Sequence, residues 1–487
     1  MARTLIVWGC SSGAGKSLLA TAICRWAANQ GLRVAPFKAQ NMSNNARLVP
    51  TRDGGCGEIG SAQYFQALAA RAPAQVDFNP VLLKPESDTA SQVLVHGRVR
   101  ADLGRMPWRE RSHQLAQAAR ESFERVASAH ELVVVEGAGS PAEINLAEHD
   151  FVNLGVARWA RELGPTQALL VADIDRGGAF AHLHGSWALL PPDLRPLLVG
   201  FILNKFRGDA ALLAPGPQQL QQLTGVPLLG VLPMLRAHGL PEEDGVQALP
   251  PVRGAATRRV AVLAPPALSN LDEFQPLQQL ASVQLVWVRE PGQLAGADWI
   301  VLPGSKQVRA DLAWLRARGL EAPIREHARL GRPLLGLCGG LQMLGEWLDD
   351  PLGLEGSAPG RDPGLGLLPL RTHYALPKRL LPGQLRFGCA LGAWQALTGL
   401  AFEGYEIRCG HSESAACAVL HAADGQATGW QRGNVLGVYG HGLFEAAAVQ
   451  QALFGETIPP VDLRFDELAR SLEAALGSDT LHRLTAI

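Results

Sequence analysis

The chain has 487 residues, of which 47% are hydrophobic and 18% charged, and its formal net charge is -1 at pH 7. This length predicts two or three domains, and the composition is ordinary for a globular protein with large buried cores. A charge so close to zero gives no sign of a nucleic-acid-binding protein, so an anionic partner must be met by a local group of basic side chains. No apolar stretch is long enough to span a bilayer, so we expect no membrane partner.

Seven cysteines are scattered along the chain, and no pair of them has the spacing of zinc ligands. An odd number of dispersed cysteines favours a reduced interior over a disulfide framework. The N-terminal sequence MARTLIVWGCSSGAGKS passes from a short apolar run directly into a glycine-rich loop, which is not the pattern of a signal peptide. We therefore expect a cytoplasmic protein.

A phosphate-binding loop is predicted near the N-terminus. The apolar run LIVW is followed by GCSSGAGKS, from Gly9 to Ser17, and then by a helical pattern. In this context backbone N–H groups and the helix N-terminus face phosphates, and we expect Gly13 and Gly15 to shape the loop. Lys16 would place its charge on the outer phosphates, and the Ser17 hydroxyl could bind Mg²⁺. The spacing is one residue longer than the standard motif and resembles the dethiobiotin synthetase branch of these proteins.

Polar side chains follow several other predicted strands. Glu136 ends the apolar run LVVV and precedes a glycine-rich loop, which favours a metal-binding role. Asp173 and Arg176 follow the run ALLVA, and Lys38 ends a short strand; these three are candidates for contact with phosphate or substrate. Asn204 ends a further strand and is placed to read a nucleotide base. Glu58 is predicted in the first turn of a helix, where a carboxylate is favoured by the helix dipole whatever its function.

Strands alternate with helices through most of the chain, which predicts doubly wound, mostly parallel sheets with ligands at the carboxyl ends of the strands. Residues 236–257 are rich in proline, glycine and charge without periodicity and are typical of a linker. We therefore predict two α/β domains, over residues 1–235 and 258–455. Residues 456–487 form a C-terminal helical tail. The region 349–366, rich in glycine, proline and aspartate, is predicted to be a loop.

A cysteine elbow is predicted in the second domain. Cys338 stands between the apolar run PLLGL and a helical pattern, and two glycines follow it. A nucleophile on a sharp strand-to-helix turn is held out towards substrate, and the helix N-terminus behind it favours the thiolate. A buried structural cysteine is the common alternative. His441, between glycines at the end of a later strand, is the natural candidate for its base.

Together these motifs resemble the cobyric acid synthase family, the glutamine-dependent amidotransferases of cobalamin biosynthesis. The resemblance covers nearly the whole chain. It is carried by the long phosphate loop and by PFKAQNMS (36–43), NPVLLKP (79–85), VVVEGAGSPAEINL (133–146), VADIDRGG (171–178), NKFRGD (204–209), LPGSK (302–306), GLCGGLQMLG (336–345) and YGHGLF (439–444).

The resemblance implies a dethiobiotin synthetase-like domain that binds ATP and a corrinoid, followed by a class I glutaminase domain. It implies ATP, Mg²⁺ and glutamine, no prosthetic group, and a corrinoid a,c-diamide whose b, d, e and g carboxylates are amidated in turn. The oligomeric state is left open, a homo-oligomer included. Mg²⁺ would lie on Ser17, Glu58 and Glu136, and ATP would convert each carboxylate to an acyl phosphate.

The second site would release ammonia from glutamine, since free ammonia is mostly protonated at neutral pH. Cys338 would attack the side-chain amide and His441 would shuttle protons. Backbone N–H groups of Gly304 or Ser305 and of Gly339 would hold the oxyanion.

One departure concerns the residue that orients the histidine. Many class I amidotransferases carry His-x-Glu, but Leu443 stands two positions after His441, and the nearest carboxylate is Glu445. We therefore expect a Cys338–His441 dyad. Two other functions remain as alternatives: the sibling a,c-diamide synthase, and a partitioning-type P-loop ATPase whose glutaminase domain only binds a partner.

Overall fold

The computed structural model describes residues 2–86, 90–235, 240, 256–355 and 358–485. The predicted linker, residues 236–257, lies almost entirely outside the described residues. The second α/β series begins with a strand at Arg258, as expected from the sequence.

The N-terminal half is built on a six-stranded parallel sheet. Its strands and those of two smaller sheets are β1 (Arg3–Gly9), β2 (Val34–Phe37), β3 (Gln40–Met42), β4 (Ala46–Pro50), β5 (Cys56–Gly60), β6 (Val81–Pro85), β7 (Ser91–Val95), β8 (Arg98–Val99), β9 (Leu132–Glu136), β10 (Thr166–Asp173), β11 (Leu198–Phe206) and β12 (Leu228–Pro233). The main sheet has the order β12-β11-β10-β1-β9-β2, and every neighbouring pair in it is parallel.

Helices cover both faces of this sheet. They are α1 (Lys16–Asn29), α2 (Ser61–Ala69), α3 (Ala101–Gly104), α4 (Trp108–Ala129), α5 (Val156–Leu163), α6 (Ala179–Leu189) and α7 (Gly216–Thr224). Alternate residues of the central strands face opposite ways, so Ile6 and Trp8 enter one apolar cluster while Leu5 and Val7 enter the other. The strands are therefore apolar on both faces, as a buried parallel sheet requires.

The C-terminal half has an eleven-stranded mixed sheet. Its strands are β13 (Arg258–Leu263), β14 (Val283–Val288), β15 (Trp299–Leu302), β16 (Leu334–Leu337), β17 (Trp347–Asp350), β18 (Gly360–Pro363), β19 (Leu370–Phe387), β20 (Ala401–Ser414), β21 (Cys417–His421), β22 (Ala427–Arg432) and β23 (Val435–Val438). Its helices are α8 (Gln275–Gln279), α9 (Val308–Ala317), α10 (Glu321–Arg329), α11 (Gly339–Leu344) and α12 (Ala447–Phe454).

Only part of this second sheet is parallel. The order β14-β13-β15-β16-β23 is parallel throughout, and the sheet then continues through antiparallel β22, β21 and β19. The prediction of a loop over residues 349–366 was wrong in part, because β17 pairs with both β18 and β19 there. Long-range pairing stabilises these strands, and their local sequence does not show it.

The C-terminal tail returns to the first half of the chain. It forms α13 (Val461–Leu476) and α14 (Ser478–Thr485), and α13 packs against α1. Buried Arg25 of α1 forms ion pairs with Asp462 at 2.9 Å and with Asp466 at 2.7 Å. Phe465 is completely buried in the apolar cluster beneath α1. The tail therefore completes the core of the N-terminal half.

The hairpin β4–β5 joins the two halves. Its strands contact β19, and β4 also contacts β20, so a part of the first half lies directly against the antiparallel strands of the second. In the described parts of the chain, every helix is too short or too polar to cross a bilayer.

Candidate active site

The phosphate loop between β1 and α1 has a geometry that requires glycine at position 15. Gly15 has φ 99°, in the left-handed region, and a Cβ added there would lie 1.9 Å from Nδ2 of Asn204. Asn204 donates from Nδ2 to the carbonyl of Ala14 at 2.9 Å, and its Oδ1 accepts from the N–H of Lys205 at 2.8 Å. Asn204 thus supports the loop, and its predicted contact with a nucleotide base stays a prediction.

Basic side chains surround this loop. Lys16 is buried and donates to the carbonyls of Ser11 and Gly139, at 2.9 and 3.0 Å. Lys205 donates to the carbonyl of Gly13 at 2.8 Å, so a second ammonium group lies at the loop. A site of this kind provides positive charge and backbone donors for the phosphates of a nucleotide.

Asp173 and Arg176 lie beside the loop. Lys205 bridges to Asp173 at 3.1 Å, and Nε of Arg176 lies 3.5 Å from the same carboxylate. The side chain of Arg176 is 70% exposed, and its guanidinium lies 3.6 Å from the position of a Cβ on Gly13. Arg176 therefore lies at the surface beside the loop, within reach of an anion bound in front of it.

Glu136, at the carboxyl end of β9, is the centre of a buried polar cluster. Its Oε1 accepts from Ser17 at 2.8 Å and from Lys38 at 2.7 Å, and its Oε2 accepts from Gln66 at 2.5 Å. Burial alone would raise the pKa of Glu136, but the Lys38 ammonium and the hydrogen bonds from Gln66 and Ser17 hold it below its ordinary value. Glu136 is therefore ionised at neutral pH.

Two of the three predicted magnesium ligands, Ser17 and Glu136, lie together in this cluster. The Ser17 hydroxyl and the Glu136 carboxylate are hard oxygen donors close to each other, as ligands of one Mg²⁺ would be. The described part of the chain contains no group of three or more His, Cys, Asp and Glu side chains arranged to hold a metal. Mg²⁺ commonly keeps several waters and binds phosphate oxygens, so two protein ligands are sufficient.

Glu58 lies in a different place from the one predicted. It belongs to β5, and α2 begins only at Ser61, because residues 56–60 pair with β4. Both oxygens of Glu58 are bound by lysines, Oε1 by Lys378 at 2.5 Å and Oε2 by Lys84. In the described ranges no hydrogen bond or ion pair joins Glu58 to Ser17 or to Glu136. Its role as a third metal ligand is not supported by this arrangement.

The cysteine elbow is confirmed in its geometry. Cys338 has φ 47° and ψ -104°, a strained conformation for a residue other than glycine. Only glycine fits at the next two positions, since a Cβ on Gly340 would lie 1.9 Å from the carbonyl oxygen of Leu302. The Cys338 thiol lies 3.6 Å from the carbonyl oxygen of Ile407 on β20. Strain at this point is what a nucleophile elbow uses to present its side chain.

The backbone N–H groups of Ser305 and Gly339 lie near the elbow and are available to donate to a ligand. A Cβ on Gly339 would lie 2.8 Å from the nitrogen of Ser305, which shows how closely these two segments approach. Within the described residues, neither N–H donates to a protein acceptor. Gly304 borders the base, because a Cβ there would lie 3.5 Å from Cε1 of His441. The three residues predicted for the oxyanion therefore lie close together, and Gly304 lies beside the histidine.

His441 is buried and lies close enough to Cys338 for that residue to influence its pKa. Its Nδ1 lies 3.3 Å from both carboxylate oxygens of Glu273, and the ring of Tyr405 stacks on it at 5.2 Å. Burial alone would lower the pKa of His441, but the charges of Glu273 and Cys338 raise it to about 10. The imidazole therefore favours its protonated form at neutral pH.

Both halves of the chain match known families of proteins. Residues 5–244 match the CobQ/CobB/MinD/ParA nucleotide binding domain, and residues 259–449 match the CobB/CobQ-like glutamine amidotransferase domain. A cobyric acid synthase of Leptothrix cholodnii is 57% identical over 96% of this chain and 94% of its own length. A cobyric acid synthase of Methylibium petroleiphilum is 56% identical over 100% of this chain and 97% of its own. The chain belongs to the cobyric acid synthase family.

As a member of this family, the chain is a glutamine-dependent amidotransferase with a nucleotide-binding half and a glutaminase half. The first match ends at residue 244 and the second begins at residue 259. The two sites described above divide in the same way, with Lys16 and Glu136 in the first domain and Cys338 and His441 in the second.

Glu273 is not among the residues predicted from the sequence. It lies on a 3₁₀ turn, Leu271–Phe274, 168 positions before His441, so no local motif connects the two. The signal available was the acidic pair Asp272–Glu273, which follows the first strand of the second domain.

Proposed function

We propose that this protein amidates the b, d, e and g side-chain carboxylates of a cobyrinic acid a,c-diamide, its adenosyl form included, with ammonia from glutamine and through acyl phosphates. The observation that carries the proposal is the presence of an intact phosphate loop and an intact cysteine elbow in one chain that matches curated cobyric acid synthases over nearly its full length. The chemistry needs both sites, because a carboxylate is a poor acyl donor and ammonium is not a nucleophile.

In the glutaminase half, the Cys338 thiolate attacks the side-chain carbonyl of glutamine, and the N–H groups of Ser305 and Gly339 donate to the oxyanion. His441 gives a proton to the departing nitrogen, so ammonia leaves and a thioester remains. His441 then takes a proton from water, which attacks the thioester and releases glutamate. Losing one oxyanion donor in such a site typically costs about 3–4 kcal/mol of transition-state stabilisation.

In the nucleotide-binding half, a substrate carboxylate oxygen attacks the γ-phosphorus of ATP, ADP leaves, and an acyl phosphate forms. Lys16 and Arg176 stabilise the negative charge of the transferring phosphoryl group. Ammonia then attacks the acyl carbon, and inorganic phosphate leaves with the former carboxylate oxygen. Mg²⁺, held by Ser17 and Glu136, would neutralise phosphate charge during the transfer. Lys38 keeps Glu136 ionised for that purpose.

The contact between the halves supports transfer of ammonia within one molecule. Ile407 places its carbonyl at the Cys338 thiol, while its side chain packs against Ala46, Leu82 and Leu94 of the other half. Ammonia released at Cys338 therefore starts at the domain interface.

We also place the protein in the cytoplasm, because all seven cysteines are free thiols.

Of the alternatives, the a,c-diamide synthase uses the same chemistry on other carboxylates and differs only in the corrinoid that it consumes. A partitioning-type ATPase with a vestigial glutaminase domain predicts a degraded nucleophile site. The strained conformation of Cys338 and the contact between His441 and Glu273 favour a working site instead.

An oxygen-transfer experiment tests the proposal. Corrinoid a,c-diamide with ¹⁸O in its free carboxylates is incubated with the protein, ATP, Mg²⁺ and glutamine. We expect one ¹⁸O in inorganic phosphate for every amide that forms. Label in AMP would indicate an acyl adenylate, and amide formation without label in phosphate would rule out the acyl phosphate.

A further inference from the structure

His441 is held by a segment of the chain that is distant from it in sequence. The 3₁₀ turn Leu271–Phe274 brings both oxygens of Glu273 to 3.3 Å from Nδ1 of His441, and both side chains are 1% exposed. The amide nitrogen of Asn270 lies 3.2 Å from Nδ1 and 3.3 Å from Nε2 of the same ring. We infer that Glu273 is the carboxylate that orients His441, and that Arg47 of the N-terminal half holds this segment in place. The inference rests on the proposed glutaminase chemistry.

The positions that follow His441 in sequence cannot supply this carboxylate. Leu443 stands two residues later and is completely buried in the apolar core of the C-terminal half. Glu445 stands four residues later, and both of its oxygens are bound by Arg47. The orienting carboxylate therefore comes from another element of the same domain.

When His441 is neutral, a carboxylate at Nδ1 favours the tautomer that carries its proton on that nitrogen. Glu273 accepts the Nδ1 proton, which leaves Nε2 to exchange protons with Cys338 and with the departing ammonia. Its negative charge also stabilises the imidazolium that exists while the thiolate attacks. Glu273 touches the histidine and not the reacting atoms, so it acts as a positioning residue.

Arg47, on β4, binds two acidic residues near the Glu273–His441 pair, Asp272 and Glu445. Its Nε donates to Asp272 at 2.8 Å, and its terminal nitrogens bind Asp272 and Glu445, the latter at 2.5 and 3.1 Å. The side chain of Arg47 is 5% exposed and that of Asp272 is 0% exposed. A planar guanidinium that binds two carboxylates in a buried place fixes their positions closely.

The backbone next to Arg47 holds the same segment. The side-chain oxygen of Asn45 accepts from the N–H of Leu271 at 2.8 Å, and the N–H of Ala46 donates to Oδ1 of Asn270 at 3.3 Å. Consecutive residues of the N-terminal half thus bind consecutive residues just before Glu273. A displacement of the β4–β5 hairpin would move the segment that carries the carboxylate.

The negative charges near Glu273 explain why a positively charged residue is needed at position 47. Burial raises the pKa of Glu273, the charge of His441 lowers it, and the nearby charges of Asp272 and Glu445 raise it further. Arg47 neutralises Asp272 and Glu445 and so favours the ionised form of Glu273. The glutaminase site is therefore complete only when the N-terminal half contributes Arg47.

The first test is Glu273→Gln, measured by glutamine hydrolysis and by amidation with ammonium salt. We expect kcat for glutamine hydrolysis to fall by about 10²- to 10⁴-fold with little change in KM. Amidation from ammonia should be unchanged, which also shows that the variant is folded. Glu273→Asp keeps the charge and should recover part of the lost rate. Glu346→Gln, which removes a surface carboxylate paired with Arg371, is the matched control.

A pH profile separates positioning from a structural effect. The groups that face His441 are Glu273, Cys338, Tyr405 and the neutral Asn270. Removing the Glu273 charge lowers the pKa of His441, so the basic limb of the profile for glutamine hydrolysis should move to lower pH by about 1 unit or more. A structural defect alone would lower the rate at every pH without this shift.

The second test is Arg47→Lys, which keeps one positive charge but loses the planar fork. We expect kcat for glutamine hydrolysis to fall about tenfold or more while amidation from ammonia keeps its rate. If Glu273→Gln hydrolyses glutamine at the wild-type rate and with an unchanged pH profile, the inference is wrong while the proposed function still stands. A wild-type protein that does not hydrolyse glutamine would overturn the proposed function and this inference together.

Discussion

Lys378 in the C-terminal half lies 2.5 Å from an oxygen of Glu58 in the N-terminal half. The other oxygen of Glu58 is bound by Lys84, which comes from the N-terminal half itself. All three side chains are at least 88% buried, so this cluster joins the two halves within their interface. Burial lowers the pKa of Lys84 to about 7, in spite of the charge of Glu58.

We predict that Glu58→Gln destabilises the protein by about 3–5 kcal/mol, because it leaves two buried lysines without a charged partner. The expected result is a lower thermal midpoint and faster limited proteolysis. Glu346→Gln breaks an exposed pair and should change stability by about 0.5 kcal/mol or less. Equal midpoints for the two variants would contradict the structural role of Glu58.

The same carboxylate predicts a dependence on pH. Burial acts to raise the pKa of Glu58, but Lys378 and Lys84 hold it well below its ordinary value. A carboxyl group with a lower pKa in the folded state adds stability above its unfolded pKa, and this contribution is lost as the pH falls through the folded pKa. The thermal midpoint of the wild type should therefore decline more steeply below about pH 5 than that of Glu58→Gln. Parallel declines would contradict the ion pairs.

Cys338→Ala should separate the two activities. The thiol is needed only to release ammonia, so turnover with glutamine should disappear, while turnover with ammonium salt should persist. Cys417→Ala changes an exposed cysteine and serves as the control. The measurement is product formation with each nitrogen source. Loss of both activities in a folded Cys338→Ala protein would count against a separate ammonia source.

Gly15→Ala should damage the nucleotide site alone. The added Cβ would meet the Asn204 amide, and φ 99° is unfavourable for alanine. We expect ATP to bind about tenfold more weakly or worse, a loss of about 1.4 kcal/mol or more, as measured by calorimetry. Hydrolysis of glutamine should continue. Gly185→Ala, at a helical glycine with open space around it, is the control.

Glu136→Gln tests the magnesium assignment. The amide keeps the size of the side chain but removes the charge that a metal needs. The Mg²⁺ concentration for half-maximal amidation from ammonia should rise by about tenfold or more. Glu124→Gln, on the exposed face of α4, should leave that concentration unchanged. An unchanged requirement for Mg²⁺ in Glu136→Gln would mean that this carboxylate does not hold the ion.

The sequence predicts those parts of the site that depend on local structure. The phosphate loop and the Cys338 elbow each consist of a strand, a tight turn and a helix, so the residues that form them are adjacent in the chain. Glu136 and Asp173 could be placed because parallel strands end at one edge of a sheet. The backbone geometry at Gly15 and Cys338 confirms that these segments form as expected.

The sequence does not predict what depends on contacts between distant segments. Glu58 could be taken for a helical residue because its partners, Lys84 and Lys378, belong to other elements, one of them 320 positions away. The link between Glu273 and His441 spans 168 positions. In the same way, nothing local to the tail shows that Phe465 packs beneath α1 in the first half of the chain.

The most direct measurement is the mass spectrum of a corrinoid a,c-diamide after incubation with the protein, ATP, Mg²⁺ and glutamine that carries ¹⁵N in its side-chain amide. We predict successive products that end with four new amides, each of which contains one ¹⁵N. The labelled products should be absent when ATP or glutamine is omitted. An unchanged a,c-diamide, or labelling that stops before the fourth amide at full conversion, would contradict the proposed function.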